Sequence, residues 1–268
     1  MTSRHNRREA GSLILGGVIA GGAALAAGSV AARVRSRAIT LRARPEAVSF
    51  EAARTAMLVV DMQNDFAAKG GMFERAGIDV NGILAVVPAV KSAIASARAL
   101  GMPVIYLKMG FKPDLSDAGP ATGPNLIKHA PLKVGAAFSA PDGRPSRILV
   151  RDTWNTDIIA DLAPEPSDTV LYKTRFSGFY RTRLDEALRQ RRIETLLVTG
   201  CTTSICVEST VRDAMFRDYR CVVLEDCMAE PIGANEVRSN HTASLLAMQM
   251  LFAWISDSQR LAEAAGKA

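Results

Sequence analysis

Histidine is scarce in this chain: 268 residues hold three, His5, His129 and His241, and no two share a spacing suited to one metal ion. The four cysteines, Cys201, Cys206, Cys221 and Cys227, include no C-x-x-C pair. Zinc-ribbon sites and dithiol redox motifs are therefore absent, and neither a metal nor another cofactor is expected. Charge of one sign is not concentrated either. The formal net charge of +6 falls to +4 once Arg4, Arg7, Arg8 and Glu9 are set aside. Arg189, Arg191 and Arg192 sit at a predicted helix end, where cations suit the dipole, so a solvated face is expected there and nucleic acid is not.

There is no internal repeat, and 48% of the residues are hydrophobic, enough to bury a sizeable core. Strand-like and helix-like segments alternate. The strands read as Met57 to Met62, Val104 to Met109, Arg147 to Arg151, Thr169 to Lys173, Thr195 to Thr199 and Cys221 to Leu224. The main helices read as Val80 to Leu100, Thr182 to Arg192 and Asn235 to Ile255. That alternation predicts a three-layer α/β/α fold with a central parallel sheet. The Gly/Pro-rich stretch from Gly110 to Ser146 is too long for an ordinary connection and reads as a functional lid or an oligomer contact.

The first 32 residues read separately. Arg4, Arg7 and Arg8 precede an uncharged, glycine-rich stretch from Ala10 to Ala32, the layout of an export signal. Paired arginines before a weakly hydrophobic segment resemble a twin-arginine signal and predict a periplasmic enzyme. An uncleaved membrane anchor, or a cytoplasmic enzyme with a mis-chosen start, are the alternatives. The organisation expected is a leader (1–32), a basic linker (33–54), a catalytic domain (55–258) and a C-terminal tail (259–268).

Within that domain the richest stretch is TLLVTGCTTSICVESTVRDA, where a strand pattern meets a helix pattern at Gly200. The helix's apolar stripe is Val207, Val211, Ala214 and Met215. Cys206 falls off it, in a row with Thr210, Asp213 and Arg217. A thiol in a first helical turn meets free N–H groups and the positive dipole end, which favour a thiolate. A small buried filler is the competing reading. Asp61 ends the strand of VVDMQNDF and Lys173 ends that of VLYKTRFSGFY. Ligands bind outside the carboxyl ends of parallel strands, so the three groups share one edge.

With these blocks in this order, the chain from Thr55 to Ser258 resembles the isochorismatase-like cysteine hydrolases. It looks most like the ureidoacrylate amidohydrolases and the related biuret and N-carbamoyl amide hydrolases, through GGMFERAGIDV, the Trp154 segment, RFSGFY and CVESTVRDAMFRDY. The resemblance implies Asp61, Lys173 and Cys206 as the catalytic residues of an amidohydrolase that cleaves a C–N bond through a Cys206 thioester. It implies a non-proline cis peptide between Cys201 and Thr202, with the Thr202 and Cys206 N–H groups forming an oxyanion hole. It also implies a small amide or ureido substrate contacted by Phe111, Trp154, Phe176, Phe179 and Tyr180, though aromatics at these places could equally be core. Gln63, just past Asp61, is a candidate polar contact, with strand-end capping as the competing reading. A homo-oligomer, dimer or tetramer, is expected. Met109 and Phe111 stand where those relatives carry an asparagine and a tryptophan. Nicotinamidase-type relatives bind zinc through histidines just after the aspartate, and Met62 to Glu74 contains none. A nicotinamidase-like amidase and a catalytically idle, exported interaction protein are the alternative functions.

Overall fold

The computed structural model describes residues 38–267. The leader reading at 1–32 and the first part of the expected linker lie outside them. The described residues include ten strands: β1 (Ala38–Leu41), β2 (Val48–Glu51), β3 (Thr55–Val60), β4 (Val104–Met109), β5 (Ala137–Ser139), β6 (Pro145–Arg147), β7 (Thr169–Lys173), β8 (Thr195–Cys201), β9 (Arg220–Ala229) and β10 (Ala253–Ser256). Six of them form the central sheet in the order β10-β9-β8-β3-β4-β7, every adjacent pair parallel. The helices are α1 (Asn64–Ala67), α2 (Met72–Arg75), α3 (Asn81–Ala99), α4 (Pro124–His129), α5 (Leu184–Gln190), α6 (Glu208–Met215), α7 (Asn240–Leu251) and α8 (Ser258–Lys267).

The sheet is buried on both faces because its strands are apolar without alternation: all six residues of β3 and all seven of β8 are buried. One face packs with α3 and α8, whose Val90, Ala93 and Leu261 are fully buried. The other packs with α5, α6 and α7 through Leu188, Val211 and Met248. The expected α/β/α layering is what forms.

Three local expectations are corrected. The basic linker (33–54) contains the β1–β2 hairpin. Its alternate residues Ile39, Leu41, Val48 and Phe50 are buried, and Arg44 pairs with Ile255 on the sheet edge. The period-2 apolar pattern gives this segment a core-facing side, which a linker lacks. Residues 259–267 of the expected tail (259–268) belong to α8, started by Ser258, whose N–H and Oγ both donate to the Asp226 carboxylate. The sixth strand of the sheet is β10, not Arg147 to Arg151. The predicted long helix to Ile255 stops at Leu251. Of the expected strand, Arg147 belongs to β6, pairing with Ala137 outside the central sheet, while Val150 makes an isolated bridge to Phe111.

Gly200 shows how tightly the centre is built. With φ 114°, it brings β8 so close to β3 that a Cβ there would lie 2.0 Å from Val60 O, so only glycine fits. The chain leaves β3 toward β4 on one side and returns to β8 on the other, which opens a crevice beyond their carboxyl ends.

Candidate active site

Asp61 follows β3 directly, with φ at 52°. A non-glycine residue held there costs about 1–3 kcal/mol, and bonds on both sides hold it. Its N–H donates to Leu107 O at 2.8 Å, and Cys201 Sγ donates to its carbonyl at 3.3 Å. Lys173, the last residue of β7, reaches across the end of β4. Its Nζ stands 2.7 Å from Asp61 Oδ2, with both side chains out of contact with solvent. Neither carboxylate oxygen receives a well-directed hydrogen bond, so the contact is chiefly an ion pair and leaves acceptor capacity open.

β8 ends in Cys201, and the Cys201–Thr202 peptide is cis, as the resemblance implies. The chain then makes a wide π-type turn, Thr203–Val207, before α6. Ile205 N–H and Val207 N–H both donate to Thr202 O, at 3.3 and 3.2 Å, which leaves the amides of Thr202 and Cys206 outside that pair of bonds. Glu230 staples the turn from behind, accepting from Ser204 N–H at 2.8 Å and from Ile232 N–H at 3.0 Å.

Cys206 is buried, contrary to its expected place on a polar row. The reason is Gly178, whose N–H donates to Thr210 Oγ1 at 2.9 Å while that hydroxyl donates to Cys206 O at 2.7 Å. A Cβ at Gly178 would lie 2.5 Å from Leu107 Cδ1, so the RFSGFY segment closes over the row only because it carries glycine.

Burial governs the titration of all three groups. It raises Asp61 above the ordinary carboxylate range, with Lys173 pulling the other way. For Lys173 burial is also the largest single influence and lowers its proton affinity, but Asp61 and Cys206 together outweigh it, so the net shift is upward and the ammonium stays protonated. Burial pushes the Cys206 thiol well up, the Lys173 charge opposing and the Asp61 charge adding. The resting thiol is therefore neutral rather than the thiolate expected of a helix N-terminus, and it needs a base at the moment of attack.

A cavity of about 230 Å³ opens over Asp61, Cys201, Thr202 and Cys206. Larger hollows of about 490, 480, 550 and 260 Å³ contain none of these groups, so chemistry and not size marks the site. The walls are apolar, from Phe66, Met72, Phe73, Met109, Ile205 and Ile232, with His129 and Phe176 on one side.

The isochorismatase domain family matches residues 55–260, the span that carries the whole of this constellation. The chain belongs to the isochorismatase family. Ureidoacrylate amidohydrolase RutB of Methylorubrum extorquens is 41% identical over 225 residues, 83% of this chain and 87% of that protein. The protein of the same name from Cronobacter sakazakii is 40% identical over 228 residues, 84% and 94% of the two chains. Among solved structures, a cysteine hydrolase from Pseudomonas syringae pv. phaseolicola aligns with a TM-score of 0.67 at 26% identity, covering 81% of this chain and 95% of the other. N-carbamoylsarcosine amidase from Thermoplasma acidophilum aligns at 0.55 and 26%, covering 76% and 96%.

In this isochorismatase-family hydrolase, five of the six expected substrate contacts lie off the cavity wall. Gln63 is wholly buried and clamps Met109 from both sides, Nε2 donating to its carbonyl at 2.9 Å and Oε1 accepting from its N–H at 2.8 Å. Phe111 is also wholly buried and packs behind the wall, edge-on to His129. Trp154 opens a short 3-10 turn whose carbonyl accepts from Asn64 Nδ2. Phe179 is core, stacked on Tyr219 at 5.9 Å. Tyr180 is half-exposed between Arg175 and Arg181. Phe176 alone lines the cavity. The long Gly110 to Ser146 stretch supplies wall residues Lys128, His129 and Leu132, none of them singled out from sequence. The four cysteines are free and buried.

Asp65, also not singled out, braces the wall. Its buried carboxylate accepts from Met72 N–H at 3.0 Å, Leu149 N–H at 2.7 Å and the Asn155 amide. Burial pushes it from 3.8 up to about 7, with those donors opposing. A folded-state value above the unfolded one means that the folded chain keeps a proton the unfolded chain releases. That stabilising contribution is complete below about pH 4 and is lost as pH rises to about 7. Unfolding free energies of wild type and Asp65→Asn, compared from pH 4 to pH 8, should show the wild-type advantage shrinking as pH rises. A difference independent of pH would show that Asp65 is ionised throughout.

Proposed function

We propose that this isochorismatase-family hydrolase, which acts on carbon–nitrogen bonds other than peptide bonds, does so through a thioester on Cys206. The observation that carries this reading is the buried Lys173–Asp61 pair, 2.7 Å apart, beside a buried thiol at the floor of one cavity. A buried ion pair is weak evidence for stability, so its place next to a nucleophile speaks for chemistry.

Cys206 Sγ attacks the substrate carbonyl as Asp61 takes the thiol proton. The oxyanion meets the N–H groups of Thr202 and Cys206, fixed donors that need no reorganisation as charge develops. Collapse breaks the C–N bond, and Asp61 returns its proton to the departing nitrogen. Asp61 then draws a proton from water, which opens the thioester and frees the thiol and the acid. Burial makes Asp61 a stronger base than an ordinary carboxylate, and Lys173 keeps it oriented and ionised. The cavity's size and apolar walls suit a small, uncharged amide or ureido compound. The leader pattern in residues 1–32 supports an exported enzyme.

Ammonia release from a panel of small amides and ureido compounds, with purified protein, tests the reading; a panel-wide failure with folded protein would favour the idle interaction protein. Dialysis against a chelator is expected to leave the activity unchanged. Among the described residues no group of three or more His, Cys, Asp or Glu side chains is placed to hold a metal ion. Activity lost to chelation and restored by zinc would point instead to a nicotinamidase-like enzyme.

A further inference from the structure

Lys128 and His129 are polar side chains of the cavity wall that the mechanism leaves unused, and of these Lys128 is exposed while His129 is enclosed. It ends α4, and its side chain is almost fully enclosed, the residue being 6% exposed. Phe111 meets its ring edge-on at 6.3 Å and Phe176 lies tilted against it at 5.7 Å, so the ring is held in one orientation. Nδ1 lies 2.6 Å from Asn125 O. A carbonyl oxygen only accepts, so Nδ1 must carry the hydrogen, and a neutral ring then presents a lone pair at Nε2. No described residue donates to that atom.

The ring also stays neutral. Burial lowers its proton affinity, and the neighbouring charges of Arg175 and Lys173 lower it further, against the one bond to Asn125 O that raises it. An acceptor is thus fixed among the apolar wall residues Phe66, Met72, Phe73, Met109, Ile205 and Ile232, with the exposed Lys128 as the one cation among the described residues of the wall. Its apolar residues cannot themselves discriminate between polar substrates. A single acceptor in it can, because a ligand that brings no donor leaves the lone pair desolvated and unpaired.

We infer that His129 Nε2 is a specificity-determining contact of this enzyme, accepting a hydrogen bond from the N–H that the substrate retains when its other C–N bond is cleaved. The ligand class is a small ureido compound whose substituted nitrogen carries hydrogen. The inference rests on the amide-hydrolase reading of the cavity, and it can be tested apart from turnover.

The probes are n-propylurea and its analogue methylated on the propyl-bearing nitrogen, with binding to the full chain carrying Cys206→Ala measured by calorimetry. The N–H probe should bind about tenfold more tightly, the effect of one good hydrogen bond. Adding His129→Phe, which keeps a ring between Phe111 and Phe176, should weaken the N–H probe alone and bring the ratio close to one. Adding His129→Gln, whose Oε1 can accept, should keep most of the preference. If the phenylalanine variant does not fold, His129→Leu takes its place. A preference that survives loss of the acceptor, equal losses for both probes, or no binding of either overturns the inference. Ammonia release from n-propylurea by the wild type separates the two readings. A His129-dependent preference without turnover of any panel compound would sink the hydrolase reading and leave the contact standing; turnover with a preference indifferent to His129 would do the opposite.

Discussion

Cys206→Ala is expected to lower turnover by at least ~10³-fold, because removal of a covalent nucleophile leaves only binding and the oxyanion donors to act on the substrate. The fold should survive. Deleting one buried sulfur costs about 1 kcal/mol, and Thr210, Gly178 and Glu230 hold the turn through its backbone and through Ser204, not through the thiol. Thermal unfolding alongside steady-state rates separates the two effects. Cys201→Ala is the control: Cys201 also lines the cavity, and its thiol donates to Asp61 O, so a smaller loss is expected. Retained activity in Cys206→Ala, with the loss falling on Cys201→Ala, would move the nucleophile to the other cysteine.

Asp61→Asn should cost on the order of 10²-fold or more, the usual share of a general base, and it should slow both formation and hydrolysis of the thioester. The substitution also leaves the Lys173 ammonium wholly buried with no counter-charge. An uncompensated buried charge costs about 3–5 kcal/mol, so Lys173 would shed its proton, and the melting temperature of the variant should fall. Rapid quenching resolves the chemistry from the stability. Mass spectrometry of wild-type enzyme stopped during turnover should find an adduct on Cys206 alone, and the Asp61→Asn variant should accumulate it more slowly. An adduct on Lys173, or a burst of product with no adduct on any cysteine, would refute the mechanism even with the amidase activity intact.

The chemistry of the site was legible because it sits at strand ends. Asp61, Lys173 and the turn to Cys206 each follow a run of apolar residues, and a parallel sheet brings such ends to one edge whatever the intervening loops do. The wall was not legible for the opposite reason. Whether Phe176 or Phe179 faces the cavity depends on which side of a loop packs inward. The answer came from Gly178 docking on Thr210, with Phe179 turned to Tyr219 and Phe176 to His129. Gln63, next but one to the aspartate, looked like a polar contact and proved to be a backbone clamp, since the oxygen and nitrogen of its side-chain amide match the N–H and C=O of Met109. β10 was hidden because an apolar helix runs into it with no glycine or proline between them.

From its residues alone, then, the protein's layered α/β fold and the three strand-end groups Asp61, Lys173 and Cys206 could be read, since periodicity and strand-end chemistry are local properties of the chain, while the family was legible through the resemblance of its sequence blocks. Tertiary structure decided the rest. The neutral state of the buried thiol, the identity of the cavity wall and the tautomer of His129 each depend on desolvation and on partners far away in sequence. No local pattern encodes either.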